Sequence, residues 1–403
     1  MPWRPILRDD VAIVARNRVS RLAAALADSD NSAASPAALC DRALVFGYLG
    51  QLETQRAKRI QALEYLNLAS ERVTPELPSG IINGLSCVGW TFEHRHSAVL
   101  NRTLIADDSN RGDDPLEDLD RLILSRLRRD RWSGSYDLIG GLVGIGVYFL
   151  ERYPLPTAYE GLRLIVGHLE STAEESRAGI TWHTPPRLLP DTERVQCPNG
   201  HYNLGVAHGV PAVVYLVSEM MAAGVETTRA ERLFEGAVKW LVGQKQRTDV
   251  ASCYAYWIAA GVGTTVSRVA WCYGDLGIGG VLHHVATRHG RSDLLHLARE
   301  LVDRCLSRST DNLDAAFCHG AVGIGHILNR LYQAELQNRY RDAAIHYYER
   351  SLALMTGMET AAIDGSLLEG VSGIALALLA ATEDIEPEWD RRMVLSGRSR
   401  FTH

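Results

Sequence analysis

The chain has 403 residues, of which 46% are hydrophobic and 22% charged, with a formal net charge of −6. These values exclude a disordered or fibrous chain and supply enough apolar residues for a substantial core. The mild acidity exerts no overall pull toward nucleic acid or acidic membranes. Cys40, Cys87, Cys197, Cys253, Cys272, Cys305 and Cys318 are scattered and odd in number, which speaks against a disulfide framework and for reduced thiols. "MPWRPILRDD" lacks the apolar run of a secretory signal, and the longest apolar stretch, "LIGGLVGIGVYFL" (138–150), is short for a bilayer span. The expectation is a cytoplasmic protein.

Along the chain one motif recurs: glycine, two residues, a small residue, then an apolar run. "GYLG" (47–50) is the weakest copy and "GLSC" (84–87) the second. "PLEDLDRLILSRLRRD" (115–130) places apolar residues three and four apart, which predicts a helix with one buried stripe. "GLVG" (141–144) follows. Residues 177–204 break the helical pattern with prolines, glycines and β-type residues, and predict a long loop with a short hairpin over one end of the fold. After it come "GVPA" (209–212), the amphipathic "TRAERLFEGAVKWLVGQ" (228–244), "GDLG" (274–277), "RSDLLHLARELVDRCLSR" (291–308), "GAVG" (320–323) and "GVSG" (370–373). Each unit reads as a hairpin of a polar-faced outer helix and a glycine-started inner helix, the glycine allowing close backbone approach. The economical closure is all-α: an α/α toroid of about seven inner and seven outer helices, forming a single domain over 1–403.

Alignment of the copies puts reactive residue types at one repeat position, just before the first glycine. Asp137 lies four residues ahead of its glycine; His208, Cys272-Tyr273, Cys318-His319 and Glu369 lie immediately ahead of theirs. Copies five and six are consecutive, so Cys272, Cys318 and His319 should meet at one rim. Two thiolates and an imidazole suit tetrahedral Zn²⁺, and three protein ligands leave one position open. The rival reading is a Cys–His nucleophile pair, although adjacent residues rarely point into that geometry. The other five cysteines read as small buried hydrophobes. Glu369 reads as a cap or structural carboxylate, and His283, His284 and His326 as hydrogen-bonded structural residues. The basic "RLRRDR" (126–131) reads as a solvated helix face, with an acidic leader peptide as the alternative partner.

"WCYGDLGIG" (271–279), "FCHGAVGIG" (317–325), "NLGVAHGVPAVV" (203–214), "YDLIGGLVGIG" (136–146) and "SLLEGVSGIALAL" (366–378) resemble the lanthionine synthetase C-like family, the zinc cyclases of lanthipeptide biosynthesis. The resemblance spans about residues 40 to 380. It implies a seven-plus-seven α/α toroid and one Zn²⁺ held by Cys272, Cys318 and His319. It further implies active-site roles for His208, Asp137, Arg268 and Tyr273. Ala212 and Cys87 stand where the family usually has glycine.

The implied reaction is Michael addition of a substrate-peptide cysteine thiol to dehydroalanine or dehydrobutyrine, giving a thioether ring. A free thiol is only a few per cent ionised at neutral pH, which is the difficulty zinc addresses. His208 suits proton transfer; Asp137 could orient it, or merely cap a helix; Arg268 could stabilise an enolate oxygen. The implied partners are a dehydrated precursor peptide with leader and core, a separate dehydratase, and a transporter through which the chain could associate with a membrane. Nucleic acid is not expected. The alternatives are intermolecular thiol addition of the glutathione type, and a zinc-containing peptide-binding scaffold without turnover. An α/α-toroid glycosidase ranks last, because the repeat position carries Cys and His rather than paired carboxylates.

Overall fold

A computed structural model describes residues 2–99, 114–356 and 364–398. Among the described residues the helices run in chain order as α1 (Asp9–Asp28), α2 (Pro36–Leu49), α3 (Lys58–Glu71), α4 (Leu85–Val99) and α5 (Glu117–Leu127). They continue as α6 (Leu142–Arg152), α7 (Pro156–Thr172), α8 (Asp191–Gln196), α9 (Val210–Ala222) and α10 (Thr227–Gly243). The last are α11 (Asp275–His289), α12 (Ser292–Leu306), α13 (Ala321–Glu335), α14 (Asn338–Leu354) and α15 (Val371–Thr382).

The helices sort by sequence pattern. Every residue of α6 and α15 is buried, as expected of a helix apolar on all sides. In α12 burial is confined to Leu294, Ala298, Leu301, Val302 and Cys305, one stripe at helical spacing. Accordingly α2, α4, α6, α9, α11, α13 and α15 form an inner ring, each packed on the next, with α15 returning to α2. The outer ring is α1, α3, α5, α7, α10, α12 and α14. The expected α/α toroid is present, with α5, α10 and α12 where periodicity placed them. Its seam is closed by the chain's first residues: Trp3 Nε1 donates to Ala380 O (2.7 Å) and Ile6 N to Ala381 O (2.9 Å).

The repeated glycines act differently from expectation. The loop before each of α4, α6, α11, α13 and α15 folds back onto that helix's first turn, where its carbonyls accept the otherwise unpaired N–H groups. Val143 N donates to Tyr136 O (3.0 Å) and Gly277 N to Ala270 O (3.0 Å). This return leaves no room for a side chain: a Cβ at Gly323 would lie 1.8 Å from Phe317 O. The close approach is therefore mainly to the chain's own incoming loop rather than to another helix. Helix-to-helix approach does occur at later glycines, such as Gly146 against Leu216 of α9.

"GYLG" is not an equivalent copy, because Gly47 lies near the end of α2. That helix starts instead at Pro36, with Ser35 Oγ accepting from Ala38 N (3.2 Å). The missing loop is replaced by a buried pair. Asp41 accepts from Leu367 N (2.9 Å) and from Arg392 Nη1 (2.9 Å).

Residues 174–203 carry the expected hairpin, β1 (Glu174–Ser176) antiparallel to β2 (Gly179–Thr181), then α8 and β3 (Tyr202–Asn203). β3 pairs with β4 (Trp257–Ile258), which belongs to a second rim segment between α10 and α11.

Residues 387–398 fill the ring's interior. Arg392 bonds to Asp41 of α2, Arg391 to Glu151 of α6 (2.9 Å), and Asp390 to His326 (2.8 Å) and Arg330 (2.6 Å) of α13. Tyr215 of α9 donates to Ser396 O (2.7 Å), and Arg288 of α11 to Arg398 O (3.0 Å).

Candidate metal centre and active site

The rim loops are laced together by backbone hydrogen bonds at corresponding places in the repeat. Leu138 N donates to Ala207 O (3.2 Å), Ala207 N to Cys272 O (3.3 Å), Cys272 N to Cys318 O (3.2 Å) and Cys318 N to Leu368 O (2.8 Å). One register therefore delivers Asp137, His208, Cys272, Cys318, His319 and Glu369 to the same mouth. At Gly274 the turn needs glycine outright: φ is +97° and a Cβ would lie 1.9 Å from Arg268 O.

A cavity of ≈ 430 Å³ opens there, lined in part by Glu193, His208, Arg268, Cys272, Tyr273 and Cys318. The ligand atoms of Cys272, Cys318 and His319 all lie within 4.8 Å of one another. Both cysteines are buried and His319 is half-buried. The His319 nitrogens sit 3.3 Å from Asp314 Oδ2 and 3.5 Å from Glu369 Oε1. Asp314 is tied in place by accepting from Ala316 N (2.8 Å).

The charges test what this set can hold. A hydrogen bond from Cys318 pulls the Cys272 thiol down to about 5, against burial and with help from His319 and Arg268. The Cys318 thiol is pushed up by its hydrogen bond to Cys272, by burial and by the negative charge of Cys272. The sulfurs thus compete for a single negative charge. A dication bound between them would allow both to be thiolates, and a Cys₂His set with a carboxylate behind its imidazole fits zinc. Asp314, His319 and Glu369 form an overlapping group that shares the imidazole. Glu369, expected to be a structural carboxylate, therefore faces the candidate centre.

Beside it, His208 Nδ1 lies 2.6 Å from Asp137 Oδ2. Asp137 Oδ1 accepts from Gly140 N (3.0 Å), so this carboxylate holds both a turn and the imidazole. Burial opposes charging His208, but the hydrogen bond to Asp137 and its negative charge outweigh burial and raise the His208 pKa. Arg268 is held by a hydrogen bond to Tyr256 and carries positive charge toward Cys272 and Cys318. Tyr273 stands 6.3 Å from His208, ring centre to ring centre, edge-on to Tyr256 and Trp257. Burial raises its phenol pKa.

The seven residues singled out in sequence are thus brought to one mouth. Glu193, Tyr256 and Trp257 line it too and were not foreseen. The expected structural histidines are hydrogen-bonded: His283 to Glu335 and His284 to Glu219, each at 2.9 Å, and His326 to Asp390. In the basic stretch, Arg126 binds Leu77 O (2.7 Å) and Ser79 Oγ (2.8 Å), and Arg128 binds Glu160 (2.8 Å). Among the described residues no helix is long and apolar enough to cross a membrane.

Fold and rim together define an α/α toroid with a thiol–imidazole cluster and a histidine–carboxylate pair at one mouth. Residues 42–394 match the model of the family described as lanthionine synthetase C-like protein, and the chain belongs to that family. Among solved structures it is similar to nisin cyclase, with a TM-score of 0.74 at 15% identity, covering 96% of this chain and 98% of that one. A search of curated protein sequences gives no match.

Proposed function

We propose that this chain is a zinc-dependent lanthipeptide cyclase acting on a dehydrated precursor peptide. The observation that carries the reading is the convergence of Cys272, Cys318 and His319 with the His208–Asp137 pair on one cavity. Cys272, Cys318 and His319 would hold the zinc, which when bound would supply the Lewis acidity to ionise a substrate cysteine near neutral pH.

The substrate sulfur then forms a bond to the β-carbon of a dehydroalanine or dehydrobutyrine. The Cα–Cβ π pair moves toward the carbonyl as an enolate, and the α-carbon takes up a proton. Net, the thiol proton is transferred to the α-carbon. His208 is assigned to proton transfer: Asp137 engages Nδ1, leaving Nε2 for the substrate, and the raised pKa keeps a protonated fraction available. Arg268 is assigned to the enolate oxygen. The cavity fits a few residues of peptide, and its aromatic wall of Tyr256, Trp257 and Tyr273 offers apolar contact to them.

Elemental analysis of the purified protein tests this first. The expected result is one zinc per chain, lost in both Cys272→Ala and Cys318→Ala, with cyclisation of a synthetic dehydroalanine–cysteine peptide by the wild type alone. A zinc-free wild type overturns the reading. A zinc-replete wild type that leaves the peptide open points to a scaffold, and one that adds external glutathione to it points to intermolecular thiol addition.

A further inference from the structure

Asn203 opens the stretch "NLGVAHG" and has no part in the proposed chemistry. It is 1% exposed and ends β3, paired with Trp257 of β4. Its side-chain oxygen Oδ1 accepts from Gly205 N at 2.8 Å. A backbone N–H can only donate, so this bond fixes which end of the amide is which. The amide nitrogen Nδ2 is therefore the end that meets Tyr273, 3.0 Å from its hydroxyl oxygen.

That bond has a direction. Nδ2 donates and the phenol oxygen accepts, so the single phenol hydrogen cannot also point at Asn203. The ring has little freedom to escape the arrangement. One side lies against the backbone of Gly205, where a Cβ would come within 2.5 Å of Cδ1. Tyr256 packs edge-on with ring centres 5.4 Å apart. Tyr273 lines the cavity with His208, Arg268 and the cysteines.

We propose that Asn203 is a positioning residue that turns the Tyr273 hydroxyl into a hydrogen-bond donor facing the cavity. Its acceptor is the carbonyl oxygen of the dehydrated residue, which becomes the enolate oxygen as sulfur adds to the β-carbon. Tyr273 and Arg268 then supply two donors where negative charge develops. The assignment rests on the cyclase reading for its substrate, but the direction of the hydrogen bond rests on Gly205, Asn203 and Tyr273 alone.

Asn203→Asp separates polarity from shape. The carboxylate still accepts from Gly205 N, but toward Tyr273 it too can only accept. The phenol hydrogen is then drawn back from the cavity. With the synthetic dehydroalanine–cysteine peptide, kcat should fall about 10²–10³-fold, the effect of losing one such donor. KM and zinc content should stay close to wild type. Tyr273→Phe should give the same loss, and the double variant should be no worse than Tyr273→Phe. Wild-type kcat in Asn203→Asp, or additive losses in the double variant, would overturn the proposal.

Neutron diffraction from the zinc-loaded protein reads the polarity without turnover. A deuterium on Tyr273 Oη directed away from Asn203 is expected; one lying between the two residues refutes the assignment. If the wild type fails to cyclise the peptide, the cyclase reading fails, while the neutron result still decides the direction of the bond.

Discussion

His208–Asp137 at the mouth and His326–Asp390 in the ring's interior are the same two groups at nearly the same distance, 2.6 and 2.8 Å. Their settings differ. The His208 side chain is 44% exposed, and Asp137 raises its pKa despite burial. The His326 and Asp390 side chains are both 0% exposed. There burial dominates and lowers the His326 pKa although Asp390 pulls the other way, while Arg330 adds to the lowering. A histidine–carboxylate pair is thus a proton-handling device or a structural tie according to what surrounds it. At the mouth the second imidazole nitrogen is open to a substrate; inside, the second nitrogen of His326 is buried without a partner, and Arg330 and Ser396 share Asp390 with His326.

Breaking each pair should cost different things. His208→Asn should lower kcat about 10²–10⁴-fold with a thermal melt unchanged at a pH above the raised His208 value, measured by cyclisation kinetics beside calorimetry. Asp390→Ala strips His326 and Ser396 of their shared acceptor and leaves Arg330 only Glu386 and Pro387 O; it should cost about 3 kcal/mol of stability, read from chemical denaturation. The zinc content of its folded fraction should stay intact. Asp314→Asn weakens the support of His319 and should reduce zinc affinity about 10–100-fold, measured by chelator competition, without moving the melt.

The mildest probe is pH. A His208 pKa above the unfolded value of about 6.5 gives a contribution to stability that is full below that pH. It is lost as pH rises through the raised folded value. His326 runs the other way: its folded pKa is depressed, so the unfolded chain takes the proton first and acidification below about 6.5 destabilises. Histidine NMR titration should find the two midpoints on opposite sides of the unfolded value. In Asp137→Asn the His208 midpoint should fall. Two midpoints on the same side would erase the contrast.

How much of this was legible in sequence follows from where each contact lies. The inner helices announce themselves through glycine starts and unbroken apolar runs, and the rim cluster through repeat register, because both are periodic. The interior segment has no such signature. "EPEWDRRMV" is rich in charge and holds no copy of the repeat, yet Arg392 is 0% exposed and meets Asp41 across 351 positions. Tyr256 and Trp257 were missed because β4 gains its place only by pairing with β3. Glu193 depends likewise on the fold of the insertion, where it lies 3.3 Å from His201. "GYLG" misled because two glycines at a helix end match the spacing of two at a start.

The lacing of the rim has a consequence for how the protein matures. Cys272 and Cys318 belong to different hairpins, and the bond between their loops is one link in a belt running from Leu138 to Leu368. No isolated hairpin owns the three ligands, so a nascent or partly folded chain offers the adjacent Cys318 and His319 without Cys272. On the proposed zinc reading, tight metal uptake would therefore wait until these two neighbouring hairpins have docked. The rate at which zinc becomes resistant to a chelator during refolding is a clock for that docking. On the proposed zinc reading, the same gate would keep thiol-activating chemistry switched off in molecules that have not finished folding.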